Sequence, residues 1–229
     1  MASRRGFDLR RRHTRDRRVD QDAHTAWPAR PTGTWYAGVV GRIATRSQMS
    51  ADAYLAWERE QPTKHEFFRG EVFAMAGGSP RHNALCSRIN RSLGNALEGR
   101  GCVVLTSAQR VSVGAGERYV YPDVSVVCGA LDIQKNDALA NPTIVVEVLS
   151  ATTEPYDRGL KWEGYQRLGS PQDYVLVSQS EPRIEHFRRA PDGSWIYRAA
   201  GPGDQVKLST DTVLTVDDVF AGAFEIPAD

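Results

Sequence analysis

The most constraining feature of the sequence is the run from Ile144 to Leu149, in which every residue except Glu147 is aliphatic. Such a run is typical of a strand at the centre of a sheet, covered on both faces by other elements. Segments with helical spacing precede and follow it. The chain therefore predicts an α/β domain, with a mixed β-sheet flanked by helices and additional antiparallel strands.

Glu147 is the strongest chemical anomaly of this run. Because side chains alternate along a strand, Glu147 shares one face with Val145 and Leu149. An ionised carboxylate there costs several kcal/mol unless a metal ion, a basic partner or a raised pKa compensates it. The alternative interpretation is a carboxylate exposed at the carboxyl end of the strand.

Asp123 is likewise the one carboxylate in a mostly apolar run, from Tyr121 to Val127. Pro122 cannot donate to a sheet ladder, so it belongs near the start of a strand or at a bulge. If this strand pairs with the strand of Glu147, the two carboxylates converge on one site, and hard oxygen ligands suit magnesium or manganese. Taken alone, Asp after Pro is also a common turn pair.

The segments around these strands predict the framework. Two short apolar runs, 65–68 and 71–75, flank an Arg-Gly pair and predict a hairpin. Leu and Ile at four-residue steps predict a helix from about His82 to Glu98. A second helix is predicted from about Thr153 to Leu168, because Gly169 and then Pro171 follow it.

Lys161 lies in the second predicted helix, four residues from both Asp157 and Tyr165. Side chains at this spacing form one stripe on a helix. One interpretation is an exposed Asp157–Lys161 pair that contributes little to stability. The other is a lysine directed at the end of the Glu147 strand, where its charge positions an attacking water or stabilises a pentavalent phosphate.

Two further residues are candidates for an additional ligand or base. Glu71 stands at the predicted hairpin turn, and His82 opens the first long helix; each is equally well explained as a turn residue or a cap. The sequence has no HExxH or HxH spacing, which disfavours a histidine-built zinc centre. It also lacks a GxSxG elbow, a P-loop and a GxGxxG after a strand, which disfavours a serine hydrolase, an NTPase and a Rossmann dehydrogenase.

The cysteines and the apolar runs bear on the compartment. Cys86, Cys102 and Cys128 are odd in number and lack CxxC spacing, which predicts neither a disulfide framework nor a structural zinc site. No stretch approaches the roughly 18 apolar residues of a membrane span, and no apolar core follows the first arginines. The expectation is a protein of the reducing cytoplasm, with no membrane partner.

Residues 1–48 differ from the rest in charge. They carry 11 Arg against 4 acidic residues, a formal +7; because the whole chain is +1, residues 49–229 carry −6. The segment lacks periodicity and is rich in Pro and Gly, which predicts a basic, disordered extension before a single domain over 49–229. A basic arm that touches a phosphate backbone is the functional alternative.

The residues described above, taken in order, resemble the Uma2 family of bacterial putative restriction endonucleases. The resemblance runs from about Met49 to about Phe224 and is carried by Tyr54-Leu55, Lys64-His65-Glu66, Arg69-Gly70-Glu71, residues 76–82, Pro122-Asp123, Glu147 to Ser150, Asp157, Lys161 and Tyr165. It implies a restriction-endonuclease-like core of the PD-(D/E)xK type, in which an acidic cluster binds one or two magnesium ions.

By this resemblance, Asp123 and Glu147 take the two acidic positions of the superfamily motif, and Glu71 is an extra acidic metal ligand. The chain departs from the motif at the lysine, because Leu149 stands two residues after Glu147. Lys161 would replace that lysine in space.

The function implied is hydrolysis of DNA phosphodiester bonds by a magnesium-dependent endonuclease, with manganese able to substitute. Asp123, Glu147, Lys161 and Glu71 are the expected catalytic residues, and a homodimer is the expected assembly. The acidic charge of residues 49–229 and Leu149 keep a rival open, a weak or inactive nuclease-fold module that serves binding or assembly.

Overall fold

The computed structural model describes residues 45, 46 and 48–228. Its helices are α1 (Ala51–Glu58), α2 (Pro80–Leu97), α3 (Glu154–Tyr156), α4 (Trp162–Arg167) and α5 (Val216–Phe220), with a π turn at Asp157–Lys161 and a 3-10 turn at Ala223–Glu225. Its strands are β1 (His65–Phe68), β2 (Glu71–Ala74), β3 (Cys102–Thr106), β4 (Arg110–Val113), β5 (Arg118–Val120), β6 (Val124–Cys128), β7 (Ile133–Gln134), β8 (Ala138–Leu139), β9 (Ile144–Val148), β10 (Asp173–Val177), β11 (Ile184–Arg189), β12 (Trp195–Ala200), β13 (Gln205–Lys207) and β14 (Val213–Thr215).

The central sheet has six strands in the order β12-β11-β10-β9-β6-β3. Strands β9 and β10 are parallel, and the other neighbours are antiparallel, so the sheet is mixed. The helical segment 154–167 lies between β9 and β10 in the chain, as a parallel crossover requires. The predicted α/β class with a mixed sheet and helices is confirmed.

A second six-stranded sheet, in the order β2-β1-β5-β4-β8-β7, and the β13–β14 hairpin make up the additional strands. The hairpin predicted from the Arg69-Gly70 pair is present as β1 and β2, with Phe68 opposite Glu71. Both turn residues have positive φ, 47° at Arg69 and 95° at Gly70. This is the backbone of a tight turn whose twist matches that of the two strands.

The two faces of β9 contribute to two different cores. Ile144, Val146 and Val148 pack in a cluster with one side of α2. Val145 and Leu149 pack in a second cluster with residues of the helical segment and of the second sheet. Strand β9 is therefore covered on both faces, as its aliphatic composition predicts, and Glu147 lies on the side of the second cluster.

The cysteine prediction is wrong for two of the three residues. Cys102 and Cys128 form a disulfide, because the antiparallel register of β3 and β6 places them opposite each other. They are 26 residues apart in sequence, so no short spacing reveals the pair. Cys86 keeps a free thiol. The argument from the cysteines for a reducing compartment therefore no longer holds.

The predicted extension, residues 1–48, lies almost wholly outside the described residues. Its last residues contact the domain: the amide of Thr45 donates to the carbonyl of Val72 at 2.7 Å, and the amide of Val72 donates to the carbonyl of Arg46 at 2.9 Å. The Arg46 guanidinium also lies 4.8 Å from the centre of the Trp57 ring. Among the described helices, none is long and apolar enough to cross a membrane.

Two truncations should separate the extension from these contacts. Deletion of residues 1–44 should leave the melting temperature within a few degrees of the full chain. Deletion of residues 1–48 removes the two backbone hydrogen bonds to Val72, each worth about 1 kcal/mol, and should lower the melting temperature by about 4 °C more. Scanning calorimetry of the three chains measures the difference, and equal values for the two truncations would contradict it.

Candidate functional site

A pocket of about 260 Å³ opens at the carboxyl end of β9. Five parts of the chain line it: the 75–79 loop with the start of α2, the end of the segment before β6, the end of β9, the 150–161 segment, and Gln179 after β10. Its polar side chains include His82, Asp123, Glu147, Asp157 and Lys161. A ligand-binding position at the strand ends is common in sheets with parallel crossovers.

Lys161 is the centre of a buried ion cluster. Its Nζ lies 3.1 Å from Oε2 of Glu147, 3.1 Å from Oδ1 of Asp157 and 3.4 Å from Oε1 of Glu66. Glu147 and Lys161 are only 2% and 6% exposed. The hydroxyl of Tyr165 donates to Oε1 of Glu147 at 3.3 Å. The interpretation of Asp157 and Lys161 as an exposed surface pair is therefore wrong.

The helix after β9 brings Lys161 to this position through a π turn. Residues 157–161 form one wide turn between α3 and α4, with Asp157 and Lys161 at its two ends and both buried. Single π turns inside helices occur frequently at functional sites. The predicted helix from Thr153 to Leu168 is thus present over 154–167, but its middle is not regular α-helix.

Asp123 reaches the same pocket from the neighbouring strand. Strand β6 pairs with β9 through Val124 and Val146, so Asp123 and Glu147 stand one position further along, at the adjoining strand ends. Asp123 precedes the first residue of β6, as expected after a proline that cannot donate to the ladder. Its Oδ2 accepts the amide of Val148 at 2.7 Å, and its Oδ1 lies 3.1 Å from Nε2 of His82.

The electrostatics of the pocket are dominated by an excess of carboxylates. Burial raises the pKa of Glu147 well above its ordinary value; Lys161 opposes this rise, and the charges of Asp157, Asp123 and Glu66 add to it. Burial, with a smaller effect of the Glu66 charge, also raises the pKa of Asp157 against the effects of Lys161 and of a hydrogen bond with Thr153. Burial alone would lower the pKa of Lys161, but the carboxylates around it outweigh burial and raise it.

The pKa of His82 also depends on Asp123. Burial alone would lower the pKa of His82, but its hydrogen bond to Asp123 and the charge of that carboxylate raise it. Gln179 holds the loop beside it: its Nε2 donates to the carbonyl of Leu149 at 2.7 Å, and its Oε1 accepts from Ser79 at 2.8 Å.

Three of the four predicted site residues, Asp123, Glu147 and Lys161, line this pocket, and Glu71 is not among the described residues that do. Glu71 shares a face of the hairpin with Glu66 but lies about 7 Å nearer the turn, two residues along the strand. The hairpin carboxylate that contacts Lys161 is Glu66.

Sequence reasoning missed Glu66, although the signal for it was present. Glu66 is a lone carboxylate among His65, Phe67 and Phe68 in a fully buried strand, the same pattern that singled out Glu147. Cys86 and Gln179 gave no signal of this kind. Cys86 approaches Asp123 through the spacing of α2, and Gln179 lines the pocket through the position of its loop. The local sequence reveals neither.

A mixed sheet flanked by helices, with paired acidic residues at adjoining strand ends, defines a restriction-endonuclease-like α/β fold. The family model described as "Uma2: Putative restriction endonuclease" matches residues 51–228. The chain belongs to the Uma2 family.

Relatives of known sequence and structure agree with this assignment. The uncharacterized protein slr1290 of Synechocystis sp. is 35% identical over 176 residues, 76% of this chain and 93% of that protein. The uncharacterized protein sll1609 of the same organism is 31% identical over 156 residues, 67% of this chain and 88% of its own length. A crystal structure described as a putative nuclease belonging to DUF820, from Anabaena variabilis, shares the fold with a TM-score of 0.64. It is 16% identical, and the match covers 76% of this chain and 99% of that one.

Replacement of Glu147 by glutamine should stabilise the metal-free protein increasingly as the pH rises above about 4.5, the ordinary pKa of a glutamate. With a raised pKa, native Glu147 keeps a proton that the unfolded chain has released, so wild-type stability falls through this range. The glutamine variant has no such proton, and each tenfold difference in proton affinity is worth about 1.4 kcal/mol. Urea unfolding with a chelator, at several pH values, measures both proteins.

Glu185 is the matched control, because hydrogen bonds from Arg158 lower its pKa. The stabilising effect of Glu185 is present above its ordinary pKa and is lost as the pH falls. Glu185→Gln should therefore be less stable than the wild type at neutral pH, and this difference should disappear in acid. A Glu147→Gln variant that behaves in the same way would show that the Glu147–Lys161 pair is a structural element of the fold.

Proposed function

We propose that this pocket is the active centre of a magnesium-dependent endonuclease that hydrolyses phosphodiester bonds of DNA. The observation that carries the proposal is the charge of the pocket. Glu66, Glu147 and Asp157 contact a single lysine, and Asp123 lies at the adjoining strand end beside His82. Together they carry a formal excess of three negative charges when all four are ionised and His82 is neutral. Buried like charges of this number favour a bound cation, and carboxylate oxygens are the ligands that magnesium prefers.

Asp123 and Glu147 are the proposed metal ligands, since their carboxylates stand at adjoining strand ends. Bound magnesium supplies a water of lowered pKa and neutralises charge that develops on the phosphate. The protein orients the ligands: His82 and the amide of Val148 hold Asp123, and the hydroxyl of Tyr165 holds Glu147. Manganese, with the same preference for oxygen, is expected to substitute.

Lys161 is proposed to orient the nucleophile and to stabilise the charge of the transition state. Its Nζ lies 3.1 Å from Glu147, which supports this role despite Leu149 in the usual lysine position. Leu149 itself is buried in the second hydrophobic cluster. The role first expected of Glu71, an extra acidic ligand from the hairpin, is proposed for Glu66 instead, because Glu66 contacts Lys161.

The choice of DNA as substrate follows the description of the family as putative restriction endonucleases. Residues 49–229 carry a formal −6, so metal ions and local basic groups must offset the repulsion of phosphate. A homodimer fits an enzyme that cuts both strands of a duplex. A cytoplasmic location follows from the same substrate, because bacterial DNA lies in the cytoplasm.

Nicking of supercoiled plasmid in magnesium tests the site directly. Asp123→Asn, Glu147→Gln and Lys161→Met should each reduce the rate by more than about a hundredfold, since each removes a ligand or the positioning cation. Glu66→Gln and Glu71→Gln form a matched pair on one face of the hairpin. The first should reduce the rate about tenfold or more, and the second should leave it within about twofold. A larger loss of nicking rate in Glu71→Gln than in Glu66→Gln would support Glu71 as the acidic ligand from the hairpin.

Magnesium binding can be measured without cleavage. Saturating magnesium at about a hundred times its dissociation constant should stabilise the wild type by about 2.7 kcal/mol, because the ion binds the native state. Glu147→Gln should abolish this gain, and Glu71→Gln should keep it. A magnesium-dependent rise in melting temperature without any nicking in magnesium or manganese would favour the rival function, a nuclease-fold binding module.

A further inference from the structure

Three potential metal ligands of different chemistry meet at Asp123, which is also one of the proposed magnesium ligands. His82 and Cys86 stand one turn apart on α2, and Asp123 faces them from the segment before β6. An imidazole nitrogen, the thiol sulfur and a carboxylate oxygen of these residues all lie within 4.8 Å of one another. Side chains at this spacing on one helix point in the same direction, so the two helical donors converge without any distortion of the backbone.

The imidazole of His82 occupies a space that the chain leaves open for it. Gly78 lies against the ring, and a Cβ atom at that position would come within 2.5 Å of Cδ2 of His82. On its other side, Nδ1 lies 3.5 Å from the Gln179 amide nitrogen, which is already donating to Leu149 at 2.7 Å. That contact is too long to fix the tautomer of the ring. Nε2 contacts Oδ1 of Asp123 at 3.1 Å, and a bound cation would take the place of the proton between these two atoms.

Cys86 is suited to the same purpose. It is the free cysteine of the described residues, since Cys102 and Cys128 are joined to each other. Its side chain packs against the hydrophobic cluster around α2, and its sulfur lies within 4.8 Å of the ligand atoms of His82 and Asp123. A cation between these groups would receive sulfur, nitrogen and oxygen ligands at once.

We propose that His82, Cys86 and Asp123 form a binding site for a divalent transition metal ion of the zinc and cobalt class. Imidazole and thiolate ligands favour such ions, whereas magnesium requires oxygen. Three protein ligands leave a coordination position open, as in catalytic rather than structural zinc sites. On binding, Cys86 becomes a thiolate and its proton passes to solvent.

Asp123 is assigned to this site and to the proposed magnesium site, so two ions bound at once would share its carboxylate. Paired cations bridged in this way occur in many enzymes that cleave phosphate esters. The inference rests on the proposed function only for what the ion does there. Binding itself depends on the three ligands.

Cobalt titration of the purified full chain tests the site. A thiolate bound to cobalt gives a charge-transfer absorption in the near ultraviolet that oxygen and nitrogen ligands do not give. The wild type should show this band at one equivalent of cobalt, and excess magnesium should not remove it. Cys86→Ser should lose the band, and His82→Gln should weaken cobalt binding by about tenfold or more.

Two controls keep the interpretation specific. The double variant Cys102→Ser/Cys128→Ser keeps Cys86 and should keep the band. Gly78→Ala leaves all three ligands in place but crowds the imidazole, so it should weaken cobalt binding while the sulfur ligand is kept. Circular dichroism should show native folding of every variant. If Cys86→Ser fails to fold, Gly78→Ala and His82→Gln still decide the question.

A wild-type protein without a sulfur–cobalt band, or a band that persists in folded Cys86→Ser, would overturn the site. His82 and Cys86 would then act as hydrogen-bond donors that hold Asp123. The result is separable from the proposed function. Sulfur-bound cobalt in a protein that does not nick DNA would overturn the nuclease proposal alone, and magnesium-dependent nicking without the band would overturn the transition-metal site alone.

Discussion

The buried contact between Lys161 and its three carboxylates is the interaction on which the rest of this structure depends. Without Lys161, the buried carboxylates of Glu66, Glu147 and Asp157 would lose the cation that they share. Removal of one member of a buried ion pair costs about 3 to 5 kcal/mol. The pair of Lys161 with Glu147 joins the helix after β9 to the centre of the sheet. Its contact with Glu66 joins the first hairpin to the same point. One ammonium group therefore connects three parts of the fold.

This arrangement leaves the pocket with too much negative charge for one lysine to balance. A domain that needed only stability would place aliphatic residues in these positions, since well-packed apolar groups are often as stable as a buried ion pair or more so. The retained carboxylates and the raised pKa of Glu147 support the cation-binding site proposed above. The hydrogen bonds to Asp123 from His82 and Val148 restrict the orientation of this proposed metal ligand.

Much of this could be predicted from the sequence, because the strong signals were local. An aliphatic run with one carboxylate placed β9 at the centre of a sheet, and four-residue spacing placed α2 to within two residues at its start and one at its end. The convergence of Asp123 and Glu147 depends on the pairing of β6 with β9, which the sequence does not reveal. The partner strand of Cys102, the contact between Glu66 and Lys161, and the approach of Cys86 to Asp123 depend on which strands and helices become neighbours. Long-range packing decides those contacts, and no pattern within a short window contains them.

The π turn also restricts how the sequence of this domain can change. A π turn differs from an α turn by one additional residue, and each residue of an α-helix rotates the chain by about 100°. Loss of a single residue between Asp157 and Lys161 would let this turn close as regular α-helix, and the two side chains would no longer stand at the two ends of one wide turn. Geometry therefore constrains the length of this segment more strictly than the identity of its exposed residues. An alignment gap placed there would separate chains that keep this pocket from chains that have lost it.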